Sequence, residues 1–355
     1  MVGDSATEWE RTGEIPLELL RGLGAKGLLC AQVPEAHGGL GLTSRRNGEL
    51  TAHVGALSGS LRSVMTSQGM AAWTLRRLAG AQQQAAIVPR LTSGELAAVA
   101  FSEAQAGSDL SALRTRITRD GDEIVVDGAK VWTTNAAYAD LLIVFGRTED
   151  GAGAVVVPAT APGVRIERIT DAYGCRAAGH AGIRLDGVRL PADALLEGVD
   201  RTPSLLVTTA LSYGRMSVAW GCVGILRACL SEVVRHAGGR EQFGTRLSEH
   251  QLVARHLAEL LIAEQSAGRA CEHAADLWDE GSPDVVTAAV LAKHVAATGA
   301  ARGSERALQV LASAGARDGH VVARAHRDAK LMEIIEGSSE ICELILAQHA
   351  LTTTR

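Results

Sequence analysis

Aromatic residues are scarce in this chain. Phe, Trp and Tyr make up 3% of its 355 residues, although hydrophobic residues together reach 46%. The core must therefore come from Ala, Leu and Val, a composition suited to tightly packed helices. No block of basic residues occurs, and the formal net charge of −5 is spread over mixed signs, which argues against nucleic acid as a partner. Six cysteines (Cys30, Cys175, Cys222, Cys229, Cys271 and Cys342) are scattered without a CxxC pair or a Cys/His cluster at metal-ligand spacing. Buried reduced thiols are expected, with neither zinc nor disulfides. Uninterrupted apolar runs of membrane-spanning length are missing too. The most apolar long stretch, Leu205–Leu230, is broken by Arg215 and Arg227. The first fifteen residues carry Asp4, Glu8, Arg11 and Glu14 and no apolar h-region, so a cytoplasmic protein without a membrane partner is expected.

A chain of this length supports two or three domains. Residues 1–100 read as helical, with Pro16 at an N1-like position, Ala-rich helix-compatible sequence over Leu50–Leu78, and a Pro/Gly loop at Val33–Leu42 between them. From 101 to 202 short β-type runs alternate with turn signals: Glu123–Gly128, Asp140–Gly146, Ala154–Pro158, Gly163–Ile169 and Ile183–Pro191. Asp150-Gly151 and Asp186-Gly187 are candidate hairpin turns, and the lack of intervening helices points to an antiparallel β-domain. From 203 to 355 the chain is helical again. Val253, Leu257, Leu260 and Leu261 share one helix face, and a four-helix bundle is the simple reading. Gly22-Leu23-Gly24-Ala25-Lys26-Gly27 matches GxGxxG but follows a helical pattern, so a Rossmann nucleotide site is improbable and the glycines end a helix.

The segment Arg327–Glu340, RDAKLMEIIEGSSE, carries most of the functional signal. Glu336 follows the apolar pair Ile334-Ile335 and precedes Gly337-Ser338-Ser339. A carboxylate desolvated on one side has the raised pKa that proton abstraction needs. Helix capping by Ser338 or Ser339, with Glu340 in the first turn, accounts for the polar residues but leaves Glu336 without a structural duty. Three other blocks stand out: Ala100–Leu110 (AFSEAQAGSDL), Lys130–Asn135 (KVWTTN) and Arg240–Leu260 (REQFGTRLSEHQLVARHLAEL). Taken singly, each has an ordinary explanation as a turn, a core Trp and a solvated Arg.

Together, in this order, these blocks resemble the acyl-CoA dehydrogenase superfamily, from roughly Trp9 to Leu351. The resemblance implies a mainly α fold with an N-terminal helical domain, a middle antiparallel β-domain and a C-terminal four-helix bundle. It also implies FAD as cofactor, a homo-oligomer (most simply a dimer) and Glu336 as catalytic base. Cofactor contacts carry over to Phe101, Ser102, Gly107, Ser108, Trp132, Thr134, Ser338 and Glu340. Arg240 is implied to reach the pyrophosphate of a neighbouring subunit, with Phe243 and Gln251 at the adenosine end. Gln309 and Ser313 occupy a weaker match, where the family's Gly-Gly pair has become Ala312-Ser313 and contacts to the dinucleotide are expected to alter. Substrate contacts are implied for Thr66, Gln68, Ser108, Arg215 and Gly337.

Ser60–Trp73, Gly174–Gly182 and the Glu336 segment are similar, more narrowly, to the acyl-carrier-protein dehydrogenases of methoxymalonyl extender-unit biosynthesis in polyketide pathways. Thr66, Ser67 and Gln68 make the implied pocket helix more polar than a fatty-acyl tunnel, which fits a short hydroxylated acyl group. Carrier protein and CoA share the phosphopantetheine arm, so a short-chain acyl-CoA dehydrogenase competes with this reading. A non-catalytic flavoprotein of the same fold competes as well, and Glu336 argues against it. Arg45, Arg46 and Arg176 are the expected contributors to a carrier-protein docking patch. The electron acceptor cannot be read from the residues.

Overall fold

The structure, a computed structural model, describes residues 2–196 and 203–353. The expected boundary at 202 lies outside the described residues. Five helices open the chain: α1 (Val2–Thr12), α2 (Leu17–Gly24), α3 (Ser44–Leu57), α4 (Gly59–Leu78) and α5 (Ala81–Thr92). The sheet strands follow as β1 (Ala97–Ala100), β2 (Arg116–Asp120), β3 (Glu123–Thr133), β4 (Leu141–Thr148), β5 (Gly151–Pro158), β6 (Val164–Arg168) and β7 (Ala181–Pro191). Then come α6 (Pro203–Gly239), a hairpin of β8 (Glu241–Gln242) and β9 (Thr245–Arg246), α7 (Gln251–Asp279), α8 (Val285–Leu311), α9 (Val321–Ile334) and α10 (Ser339–Thr353).

The helical, β, helical order is that expected, with local departures. Pro16 stands at the N-cap of α2, one position before N1, and Gly24 ends that helix. The Leu50–Leu78 stretch is two helices, because Ser58 turns extended and its hydroxyl accepts from Leu61 N–H, restarting the chain as α4. The sheet, in the order β1-β4-β2-β3-β7-β6 with β5 beside β4, is mixed and not purely antiparallel: β1 and β2 both pair with β4 in parallel. Glu149-Asp150 form the two-residue loop of the β4–β5 hairpin. Asp186-Gly187 make no hairpin. They lie inside β7, where the register against β3 shifts and Gly187 has φ 58°.

Small side chains set the bundle. Ala267, Ala274, Ala289, Ala296, Ala300 and Ala307 are buried in one cluster with Val218, Val223 and Leu226 of α6. Where α3 crosses α6 the backbones nearly touch: a Cβ on Gly224 would sit 2.0 Å from the Ala52 carbonyl oxygen. By length and composition Thr208–Gly239 is apolar enough to cross a bilayer, yet its side chains pack into this bundle. Arg227 on it pairs with Glu49 and Glu264. On α7 Leu260 is buried and Val253 and Leu257 are partly covered, but Leu261 is exposed and falls outside the expected face. All six cysteines are free and buried.

Candidate active site

Six non-glycine residues among those described adopt a left-handed backbone, and four of them, Trp132, Asn135, Cys175 and Glu336, belong to segments that meet between the β-domain and the bundle. Such conformations cost of order 1–3 kcal/mol each and persist where surrounding contacts enforce them.

Glu336 (φ 56°) lies in the short link between α9 and α10. The link is held from two sides. Arg215 of α6 donates from Nε to the Glu336 carbonyl at 3.1 Å, and Lys293 of α8 donates from Nζ to the Gly337 carbonyl at 2.6 Å. Ser338 accepts from Ile341 N–H and caps α10, as the capping reading required. The residue as a whole keeps some exposure, but its carboxyl is packed against α6. A Cβ on Gly214 would fall 2.6 Å from Oε2, so only glycine leaves the seat that the carboxyl takes. Burial raises the Glu336 pKa, opposed by the charges of Arg215, Lys293 and Arg62. Arg215 therefore orders the segment through a carbonyl and makes no carboxylate ion pair among the described residues. Glu333, one turn earlier, is engaged by Lys330.

On the β-domain side, Phe101 follows β1 and packs on Phe145 with centroids 4.4 Å apart. The Ser102 carbonyl accepts from Val131 N–H. Between these strands Glu103 and Lys130 form a buried ion pair at 2.8 Å. Burial disfavours the Glu103 carboxylate, but hydrogen bonds from Lys130, Thr115 and the backbone of Arg114 and Thr115 hold its pKa at about 2. That network fixes the Ala100–Leu110 and Lys130–Asn135 blocks against each other. Gly107 and Ser108 are exposed on the loop beyond.

Trp132 is 55% exposed, its ring edge-on to His180 at 5.9 Å, and Thr134 Oγ1 lies 3.2 Å from His180 Nδ1. His180 Nε2 is buried without a partner, and burial, with Arg62 nearby, lowers the ring pKa to about 4. A bare indole beside an unpaired imidazole nitrogen suits a planar heteroaromatic ring with polar edges.

Several expected contacts are elsewhere. Gln68 does not face the pocket: its amide donates to the Leu91 and Glu95 carbonyls and accepts from Ala97 N–H, tying α4 to β1. Two residues round a helix from Thr66, it points to a nearly opposite side. Ser67 is likewise spent on the Thr134 carbonyl. Thr66 does face α6, with its hydroxyl 2.7 Å from Ser217 Oγ. Arg240, Phe243, Gln251, Gln309 and Ser313 are exposed and are not brought to the Trp132–Thr134 site. Phe243, 96% exposed at φ 54°, and Gly244 form the tight turn of the β8–β9 hairpin. Ala312 is left-handed at φ 48°, the strain that the glycine of the resembled motif avoids. Glu340 is exposed, its pKa lowered first by a hydrogen bond with Ser338, so both act in the cap. Arg45 is taken up by Glu272 and Asp276.

Comparison with known proteins decides the family. Profiles for the acyl-CoA dehydrogenase N-terminal, middle and C-terminal domains match residues 2–95, 98–188 and 205–351. "Probable acyl-CoA dehydrogenase YngJ" of Bacillus subtilis (strain 168) is 34% identical over 99% of this chain and 94% of its own length. The chain belongs to the acyl-CoA dehydrogenase family. It is an FAD-dependent oxidoreductase of acyl thioesters. The dehydrogenase is also similar to the human "Short-chain specific acyl-CoA dehydrogenase, mitochondrial", at 31% identity over 99% of this chain and 86% of that protein. A solved structure titled "FkbI for Biosynthesis of Methoxymalonyl Extender Unit of Fk520 Polyketide Immunosuppresant" superposes with a TM-score of 0.95 at 64% identity, covering 99% of this chain and 97% of that one.

The residues that sequence reasoning missed in this dehydrogenase are Gly214, Lys293, His180 and Arg62. Each had a weak signal: a glycine beside an arginine in LSYGRMS, a lone lysine in an Ala-rich helix, a histidine in GCRAAGHAG and an arginine amid the small residues of α4.

Proposed function

We propose that the dehydrogenase oxidises a short, hydroxylated acyl group carried on the phosphopantetheine arm of an acyl carrier protein, toward a hydroxymalonyl thioester for polyketide extender-unit assembly. One observation carries the reading. On the α4 side the charge of Arg62 acts on the Glu336 carboxyl, and Arg62 and Thr66 are hydrogen-bonded to each other at 3.1 Å, where a fatty chain needs apolar surroundings. The 64% identity to a protein of methoxymalonyl biosynthesis supports it.

Trp132, Thr134, Phe101, Ser102, Gly107 and Ser108 would hold the flavin end of FAD. Arg240, Phe243, Gln251, Gln309 and Ser313 would meet the FAD of a second copy of the chain, which explains a phenylalanine held out to solvent. FAD bound there supplies the acceptor for the hydride that leaves C3. Glu336, desolvated against Gly214, takes the accompanying proton. With a hydrated C3 aldehyde that proton comes from a hydroxyl, and the product is a carboxylic acid. With a saturated acyl chain it comes from the α-carbon, and the product is an enoyl thioester. Arg215 and Lys293 position Glu336 through the carbonyls they hold.

The test is anaerobic flavin reduction. Glyceryl-derived C3 thioesters on carrier protein should bleach the flavin at least tenfold faster than butyryl-CoA. Efficient bleaching by butyryl-CoA with no response to the carrier-bound substrate would instead place the enzyme in short-chain acyl-CoA oxidation.

A further inference from the structure

His180 is a buried ionisable side chain that proton abstraction by Glu336 leaves unused. It stands immediately before β7 and is 8% exposed. The backbone around it is pinned from several sides. Asn135 N–H donates to the Ala178 carbonyl at 3.0 Å, Ala137 N–H to the Gly179 carbonyl at 3.1 Å, and Ile169 N–H to the carbonyl of His180 itself at 2.8 Å. Gly179 has φ 65°, and a Cβ there would lie 2.5 Å from Cδ2 of Tyr138, so the approach needs glycine. Cys175, left-handed at φ 48°, donates its N–H to the Asp328 carboxyl at 2.6 Å. Thr134 is fixed from α4, where Ser67 Oγ donates to its carbonyl at 3.0 Å. Both backbones are thus set before the side chains meet, His180 Nδ1 to Thr134 Oγ1 at 3.2 Å.

The ring is neutral. Burial, with the charge of Arg62 nearby, holds its pKa at about 4, so at pH 7 one nitrogen carries a proton and the other a lone pair. A proton on Nε2 would be a buried donor without a partner, whereas on Nδ1 it has Thr134 Oγ1. The Cys175 carbonyl also acts on the ring, but it makes no hydrogen bond with Nε2 and already accepts from Ala178 N–H at 3.0 Å. Buried N–H groups are left without a partner more rarely than acceptors are, which puts the proton on Nδ1. Thr134 Oγ1 then keeps its own proton and one lone pair to present to the site. Accepting a hydrogen bond polarises its O–H, so imidazole and hydroxyl form a chain of dipoles with the positive end outward.

We propose that His180 is a positioning residue for hydride acceptance: through Nδ1–H it aims the Thr134 hydroxyl at the acceptor edge of the flavin and makes that edge more electrophilic. The role rests on the placement of the flavin against Trp132 and Thr134 in the proposed function, and deepens it. His180 keeps its proton throughout. Hydrogen and two electrons leave substrate C3 together as hydride, and the second proton goes to Glu336. The imidazole supplies a fixed dipole that favours the electron-rich reduced ring.

The probe is the FAD midpoint potential, measured by dye equilibration on the FAD-loaded protein with no acyl substrate present. H180L, which removes the donor, should bind FAD and shift the potential to more negative values, and its flavin reduction should slow by roughly 10-fold, the worth of one hydrogen bond. H180N, whose amide reproduces the Nδ1 donor, should restore most of both. T134V alone should shift the potential at least as far, and adding H180L to it should change nothing further. An unshifted or more positive potential in H180L overturns the proposal. So does an equal H180L shift in the T134V background, which would have the ring act without the hydroxyl. Ring-nitrogen NMR on histidine-labelled native protein, with His180 assigned by its contact with Trp132, should show the proton on Nδ1. A proton on Nε2 overturns the proposal without any variant having to fold. Because the potential needs no thioester, these results stand even where the glyceryl substrate is refuted. Bound FAD whose potential ignores T134V refutes the flavin placement and the proposal together.

Discussion

Gly214→Ala isolates the seat of the proposed base from the stability of the fold. The added Cβ would lie 2.6 Å from Oε2 and 2.7 Å from the carboxyl carbon of Glu336, where an ordinary contact is near 3.5 Å, so the carboxyl must retreat by about 1 Å. The helix itself gains: Ala is better than Gly in a helix interior by roughly 1 kcal/mol. The obstruction is the end of a side chain, which can move, so the fold should tolerate it and Tm should stay within a few degrees of native. Catalysis should not tolerate it. A misplacement of this size costs on the order of 10²-fold in rate, close to the roughly 10²–10⁴-fold expected for Glu336→Gln, in which the base is removed outright. The assay is stopped-flow flavin reduction under anaerobic conditions, with visible absorbance confirming that FAD is retained. The Gly214→Ala enzyme should be yellow, stable and slow. Native-like reduction would show that the carboxyl does not work from this seat, and the base would have to be sought elsewhere.

Lys293→Met should raise the Glu336 pKa further, because one of the charges that lower it is lost, so the acid limb of the kcat/KM profile should move to higher pH with FAD still bound. An unmoved limb would separate Lys293 from the site. Glu103, held at about 2 against an ordinary 4.5, contributes stability that is fully present above pH 4.5 and is lost as pH falls toward 2, an effect of roughly 3 kcal/mol. Urea unfolding of native protein and Glu103→Gln at pH 7 should differ by about 3–5 kcal/mol, since the variant strands buried Lys130, and the gap should narrow by pH 3. A gap independent of pH would contradict the depressed carboxylate.

The chain by itself determined its class. Scarce aromatics and abundant Ala and Val dictate close helix packing, turn signals without intervening helices dictate a separate β-domain, and a carboxylate after an apolar pair marks Glu336, because these are local properties of pattern and propensity. The antiparallel expectation failed where β1 and β2 pair with β4 in parallel, since pairing partners are chosen across the chain. Gln68 looked like a pocket residue because a run of polar residues carries no direction, and only the position of β1 turned it inward to structural work. Arg62 and Gly214 stand 152 residues apart and neither forms a motif. What joins them to Glu336 is the crossing of α4, α6 and the α9–α10 link, so the seats for the Glu336 carboxyl and for the Arg62 side chain exist only once those backbones meet.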